Sequence, residues 1–347
     1  MSRASAGLPK IDMPGDRSLL APPTLGRRLR MAATSSPAYM LVILMLLVLF
    51  FSIMRPGTFA STFNIRNIFM DASVLMVIAM GMTFVMIAGG FDLSVGSVLV
   101  FAGVAAAKAM EALGTDTVST VVIGTGVALI AGLAWGVFNG FCIARLKVSA
   151  LITTLGSMGS ALGLAYLITS GNDVRTVPTA LIALGTGSIG GVPWLVVIAA
   201  LFTVVGMIVL HLTRYGRHTY LVGSNPEASR RAGINVPRHL LSLYALSGVL
   251  AGIAAMLSLG RFSTTTLEGH GTDPLDAITA VVLGGTSLYG GRGTIIGTVI
   301  GVFIPAVLAN GFIIMGVQPF WQMVVVGFVV IAAVYADQLK RQSQDRG

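Results

Sequence analysis

The chain has 347 residues, 55% of them hydrophobic and only 10% charged, with a formal net charge of +9. A water-soluble domain carries about 25% charged residues, so the composition excludes a soluble enzyme and points to membrane-embedded helices. The Lys and Arg residues form no stripe interleaved with aromatics, which argues against nucleic-acid binding, and the single Cys142 excludes an internal disulfide.

Residues 1–37 are polar, contain Pro9, Pro14, Pro22, Pro23 and Pro37, and read as a disordered cytoplasmic tail. No small-residue cleavage site follows the tail, so the first apolar run is expected to be an uncleaved anchor. Ten apolar segments come next, at 38–54, 68–88, 94–112, 119–143, 149–169, 192–213, 241–261, 274–288, 294–314 and 319–336. Most lie near the ~20 residues that a helix needs to cross a bilayer. The predicted fold is an all-α polytopic membrane protein of about ten transmembrane helices. One domain covers 38–336, and 337–347 form a short cytoplasmic tail. Alternating sides from a cytoplasmic N-terminus places 17 of the 22 Lys and Arg residues inside and leaves only Arg55, Arg66, Lys108, Arg175 and Arg261 outside. Cytoplasmic loops collect positive charge, so both termini are expected in the cytoplasm.

Glycine placement is patterned. Gly132, Gly136 and Gly140 are spaced by four, as are Gly293, Gly297 and Gly301, and Gly159 pairs with Gly163 and Gly248 with Gly252. Small residues at this spacing let helix backbones approach closely. A short repeat also appears: GGFDLSVG at 89–96 and GGTSLYGG at 284–291 share GGxxLxxG. Each follows one apolar run and precedes another. Interrupted membrane helices in corresponding places mark transport sites, because unwound backbone survives only where protein or water covers it. Gly89, Gly90, Asp92, Ser94, Gly284 and Gly285 are therefore the candidate structural or gating motif. A second match, NGF at 139–141 and 310–312, does not fit the same parity.

No catalytic constellation is present. The chain lacks GxxxxGK[ST] and GxSxG, and His211, His218, His239 and His270 have no metal-ligand spacing. Asp92 is the notable intramembrane charge. It reads either as a cap, with Ser94, for the third helix, or as a proton or cation site. Asp71 and Asp276 are expected near outer helix ends within reach of water, and Lys108 and Glu111 extend to the interface. The longest charged connection between spans is 214–240. There Ser224 or Asn225 can cap a short helix with Pro226 at its first position, Glu227 in its first turn, Arg230 and Arg231 late, and Gly233 as its stop. This helix is either a solvated connector or a docking element for a soluble partner.

Four stretches carry a specific resemblance. GGFDLSVGSVLVFAG (89–103), NGFCIARLKVSALITTLGSMG (139–159), VGSNPEASRRAGINV (222–236) and DAITAVVLGGTSLYGGRGTIIGTVIG (276–301) resemble, in order, the permease subunits of bacterial monosaccharide ABC importers, the family serving ribose, xylose, arabinose and galactose. Phe91 stands where that family has isoleucine, and Ser149, Ala150 and Leu151 stand where Pro-Pro-Phe is common. The resemblance spans roughly 38–336 and implies a multi-pass protein of the bacterial inner membrane. It implies two permease copies, or a copy and a paralogue, around a central pathway. It also implies two ATP-hydrolysing subunits, which carry ATP and Mg while this chain binds no cofactor, and a periplasmic sugar-binding protein. Gly223, Asn225, Glu227, Ala228, Arg231 and Gly233 would face the ATPase. Asn139, Thr153, Thr154, Ser157 and Asn310, polar at membrane depth, are candidates to line the sugar path or to bond helix to helix. The rival functions are a branched-chain amino acid ABC permease and an ion-coupled secondary transporter. The substrate stays open among sugars and polyols, since specificity in such systems lies largely in the binding protein.

Overall fold

A computed structural model describes residues 36–318 continuously, together with scattered helical positions between 320 and 335. The N-terminal tail, the C-terminal tail and much of the tenth apolar segment, 319–336, lie outside the described residues. The helices are α1 (Ser36–Met54), α2 (Thr62–Ile87), α3 (Val95–Leu113), α4 (Val118–Ala144), α5 (Ala150–Thr169), α6 (Thr179–Thr186), α7 (Trp194–Leu212), α8 (Arg214–Ser224), α9 (Pro226–Arg231), α10 (Val236–Phe262), α11 (Asp273–Leu283) and α12 (Ile295–Met315). A two-residue hairpin, β1 (Ser188–Ile189) with β2 (Val192–Pro193), closes over Gly190 and Gly191 and is the described exception to the all-α expectation.

Seven of the described helices, α2, α3, α4, α5, α7, α10 and α12, are long and apolar enough to cross a bilayer. The eighth apolar segment departs from expectation. It is helical only over the 11 residues of α11, about 16 Å at 1.5 Å per residue, roughly half of a hydrocarbon core. Pro274 starts α11, Gly284 and Gly285 end it, and the rest of the segment is unwound. Composition alone did not distinguish a half-span from a full one, because an unwound stretch packed in protein remains apolar.

α2 is buried along most of its length and forms the centre of the bundle. α4 and α10 share the most extensive helix contact. A Cβ on Gly140 would lie 2.8 Å from the Leu241 Cα, and one on Gly252 would lie 2.5 Å from the Ala128 carbonyl oxygen, so the spaced glycines set this approach. Gly297 and Gly301 bring α12 onto α11 in the same way. Gly293 precedes α12, and Gly159 and Gly163 have nothing packed against them.

The two helix breaks are built alike. α2 and α11 each end on a glycine with left-handed backbone, Gly89 (φ 83) and Gly285 (φ 89). One residue further on, the N–H of Gly90 donates to the Val85 carbonyl at 3.0 Å and that of Thr286 to the Val281 carbonyl at 3.1 Å. This is the paired closure of a Schellman end, which needs a residue without a Cβ penalty at the left-handed position. The structure therefore equates Gly89 with Gly285, whereas the GGxxLxxG match equates Gly89 with Gly284. The helix ends set the equivalence, and the sequence match is offset by one residue.

Candidate functional site

The break after α2 delivers Asp92 into the bundle, where it is 2% exposed. A carboxylate there must be hydrogen-bonded. Oδ1 accepts from the Ser94 backbone N–H at 3.1 Å and from the Ser94 hydroxyl at 2.6 Å. Oδ2 accepts from the Ser247 hydroxyl of α10 at 2.8 Å. The chain continues beyond the carboxylate. The Asn139 amide of α4 donates to Ser94 Oγ at 2.8 Å, and the Ser157 hydroxyl of α5 donates to Asn139 Oδ1. Five buried side chains thus join α10, the α2–α3 break, α4 and α5 in one line: Ser247, Asp92, Ser94, Asn139 and Ser157. Tyr244, one turn before Ser247, donates its hydroxyl to the Phe91 carbonyl at 3.1 Å and fixes the break from the same helix.

This arrangement revises the capping expectation. Ser94 is the residue before α3, but its side chain makes no bond to the first turn. It turns instead to Asp92 and Asn139, because a buried carboxylate and a buried amide offer better partners than one backbone N–H. Asp92 accepts the Ser94 backbone N–H at the start of α3 and, through Ser247, also ties the break to α10.

At the same end of the bundle lie α8 and α9. α8 was not legible as a helix in the sequence. It docks on the start of α10 through Thr219, whose hydroxyl is 3.0 Å from His239 Nε2, and through Tyr215, whose hydroxyl is 3.0 Å from Ser242 Oγ. Burial lifts the Tyr220 phenol above its ordinary value, and its hydroxyl donates to the Gly293 carbonyl at 2.7 Å. α9 is the expected short helix. Asn225 caps it by accepting from the Ala228 N–H at 2.9 Å, Pro226 opens it, and Gly233 (φ 84) turns the chain away after it. Glu227 pairs with Arg230 and Arg231, each at 3.5 Å. All three side chains are exposed, so these ion pairs add little stability and leave a charged surface. Asn225, Glu227, Ala228, Arg231 and Gly233 share this exposed turn, whereas Gly223 is half-buried against the bundle.

Residues 64–334 match the family profile described as the permease component of the branched-chain amino acid transport system. The chain belongs to this permease family. It is 38% identical over 299 residues to the ribose import permease protein of Bacillus subtilis (strain 168), covering 86% of this chain and 91% of that protein. It is 33% identical over 328 residues to the fructose import permease protein of Rhizobium meliloti, covering 92% and 90%. It is 34% identical over 315 residues to the galactose/methyl galactoside import permease protein of Escherichia coli (strain K12), covering 86% and 93%. No solved structure is significantly similar to it. With seven described helices of spanning length, the permease is a multi-pass membrane protein.

The remaining expected residues of the permease lie apart from the Asp92 line. Asn310 on α12 exchanges two side-chain bonds of 2.8 Å with Asn64 at the start of α2. The NGF match therefore has no structural counterpart, since Asn139 and Asn310 have different partners. Thr154 turns back to the Ala150 carbonyl of its own helix, and Thr153 Oγ1 is buried without a hydrogen-bond partner among the described residues. Asp71 pairs with Arg261 at 3.0 Å and is half-exposed. Asp276, expected near water, is 8% exposed, and its Oδ1 has no hydrogen-bond partner among the described residues. Beside the first residue of α11 is a cavity of about 290 Å³ lined in part by Asp71, Thr266, His270 and Asp273. His270 bridges Ser258, at 2.8 Å, and Asp273, at 2.7 Å. Ser247, Tyr244 and Tyr220 were not singled out from the sequence. The available signal was the rarity of side chains on α10 able to satisfy Asp92.

Proposed function

We propose that this permease is the membrane-spanning subunit of a binding-protein-dependent ABC importer that moves a monosaccharide or related polyol into the cytoplasm. The observation that carries the reading is its end-to-end relation to ribose, fructose and galactose import permeases. The family profile also embraces branched-chain amino acid permeases, but three sugar systems among the relatives favour the sugar reading.

The proposed division of labour follows. The chain sits in the bacterial inner membrane with about ten spans and both termini in the cytoplasm. The α9 end then faces the cytoplasm, in keeping with the excess of Arg there. An ATP-hydrolysing subunit, holding ATP and Mg, docks on Asn225, Glu227, Ala228, Arg231 and Gly233. A periplasmic sugar-binding protein supplies substrate at the opposite end, and a second permease copy or a paralogue completes the pathway. ATP binding shifts the equilibrium between access states only through contacts that differ between them. Asn139 and Ser157 serve the helix-to-helix line through Asp92, and Asn310 serves its pair with Asn64. Thr153 is the member of the path set whose side chain has no hydrogen-bond partner among the described residues.

The test is an affinity pull-down of the tagged permease from solubilised membranes, assayed for vanadate-sensitive ATPase activity. A co-purifying ATPase supports the importer reading. Folded permease that captures neither a partner nor ATPase activity refutes it.

A further inference from the structure

Three stretches remote in sequence touch through bare backbone beneath α9. They are the end of α8, the break after α2 and the break after α11. The N–H of Gly291 donates to the carbonyl of Ile87, the last residue of α2, at 2.8 Å. A Cβ added to Gly290 would lie 2.9 Å from the Gly223 carbonyl oxygen and 2.9 Å from the Gly89 nitrogen. One added to Gly223 would overlap the Ile87 carbonyl and lie 2.7 Å from the Gly291 nitrogen. Gly290 also has left-handed backbone, at φ 83. Tyr220 spans the same seam through its 2.7 Å bond to the Gly293 carbonyl.

Two physical points follow. Contacts between backbones contain no side-chain rotamers that could absorb a displacement, and packed interfaces respond by switching arrangement, not by stretching. Ser224, the last residue of α8, is separated from α9 only by Asn225. From Gly89 the chain reaches Asp92 in three residues, and Asp92 is tied to α10, and through Ser94 and Asn139 to α4 and α5. A push on α9 therefore has a continuous path to both helix breaks and into the bundle.

We propose that the junction of Gly223, Gly89 and Gly290 is the relay that converts displacement of α9 into movement of the two helix breaks, with these glycines and Tyr220 acting as positioning residues for transport. The inference rests on the import-permease reading. It adds which backbone contacts carry the coupling and why those positions are glycine.

The test uses the complete importer, permease with its ATPase and binding-protein partners, in proteoliposomes, with D-ribose, D-fructose and D-galactose as probes. The readout is sugar imported per ATP hydrolysed. Gly290→Ala and Gly223→Ala are expected to lower that ratio at least about tenfold, within the range of ordinary coupling free energies, while the complex stays assembled and still hydrolyses ATP. Gly126→Ala, a helix position with nothing packed against it, is expected to match the unmodified protein. Tyr220→Phe removes one hydroxyl without adding volume and is expected to lower the ratio about threefold, a modest coupling loss. An unchanged ratio in assembled glycine variants overturns the relay. If those variants fail to assemble, an unchanged ratio in Tyr220→Phe overturns it. An unmodified complex that imports no member of a wider panel of pentoses, hexoses and inositol at the expense of ATP overturns the import reading itself, whereas a coupled unmodified complex with coupled variants overturns the relay alone.

Discussion

Ser247 on α10 donates its hydroxyl hydrogen to Oδ2 of Asp92 at 2.8 Å, across 155 residues of sequence. This bond fastens the break after α2 to the helix that packs along α4. It also supplies the donor that a buried carboxylate oxygen requires, since Oδ1 is already taken by Ser94.

Ser247→Ala would leave Oδ2 buried and without that donor. Stability is expected to fall by roughly 1–3 kcal/mol, read as a lowered unfolding midpoint of the detergent-solubilised permease. Ser160→Ala, on an exposed face of α5, is the comparison and is expected to change the midpoint little. Equal midpoints for the two variants would show that Asp92 is satisfied without α10.

Asn139 and Ser157 are expected to act as a coupled pair. Each single alanine breaks the line between α4 and α5, so the second substitution should cost much less than the first. A double-mutant cycle on stability should return an interaction of about 0.5–3 kcal/mol. Strict additivity would mean that the two side chains are independent and would restore both as candidates for direct contact with sugar.

Asn310→Ala is expected to destabilise the permease by about 1 kcal/mol because Asn64 Oδ1 loses its donor, and to leave sugar preference unaltered. Competition uptake assays with ribose, fructose and galactose measure this. A changed preference would place Asn310 in the path.

Arg231→Glu combined with Gly233→Pro is expected to abolish uptake while membrane insertion stays intact. Arg231 is exposed, and Gly233 holds φ 84, which proline cannot adopt. The substitutions therefore alter the surface and exit of α9 and not the bundle. Uptake at the ordinary rate would remove α9 from the coupling surface.

Much of this was legible in the sequence, for identifiable reasons. Apolar helices announce themselves by composition, so each of the seven helices of spanning length overlaps an expected apolar segment. α9 was readable because Asn225, Pro226, Glu227 and Gly233 each satisfy a local requirement of a helix end. The spacing of Gly132, Gly136 and Gly140 correctly announced a close helix contact. What stayed hidden depends on partners distant along the chain. Nothing local to Asp92 names Ser247. The Gly284-Gly285 pair flags the interruption, but the apolar run around it reads as one span, and nothing local to Asp276 shows that it is buried. α8 was hidden because its buried face is made of Gly216, Thr219 and Val222, small residues that give no apolar stripe.

The measurement that tests the central claim most directly is sugar uptake into proteoliposomes holding the permease and its ATPase partner, with the binding protein supplied on the side opposite α9. Import of at least one of ribose, fructose or galactose that requires ATP hydrolysis and stops with vanadate is the expected result. Uptake driven by an ion gradient without the ATPase would contradict the account and would make Asp92 and Asp276 the first residues to neutralise.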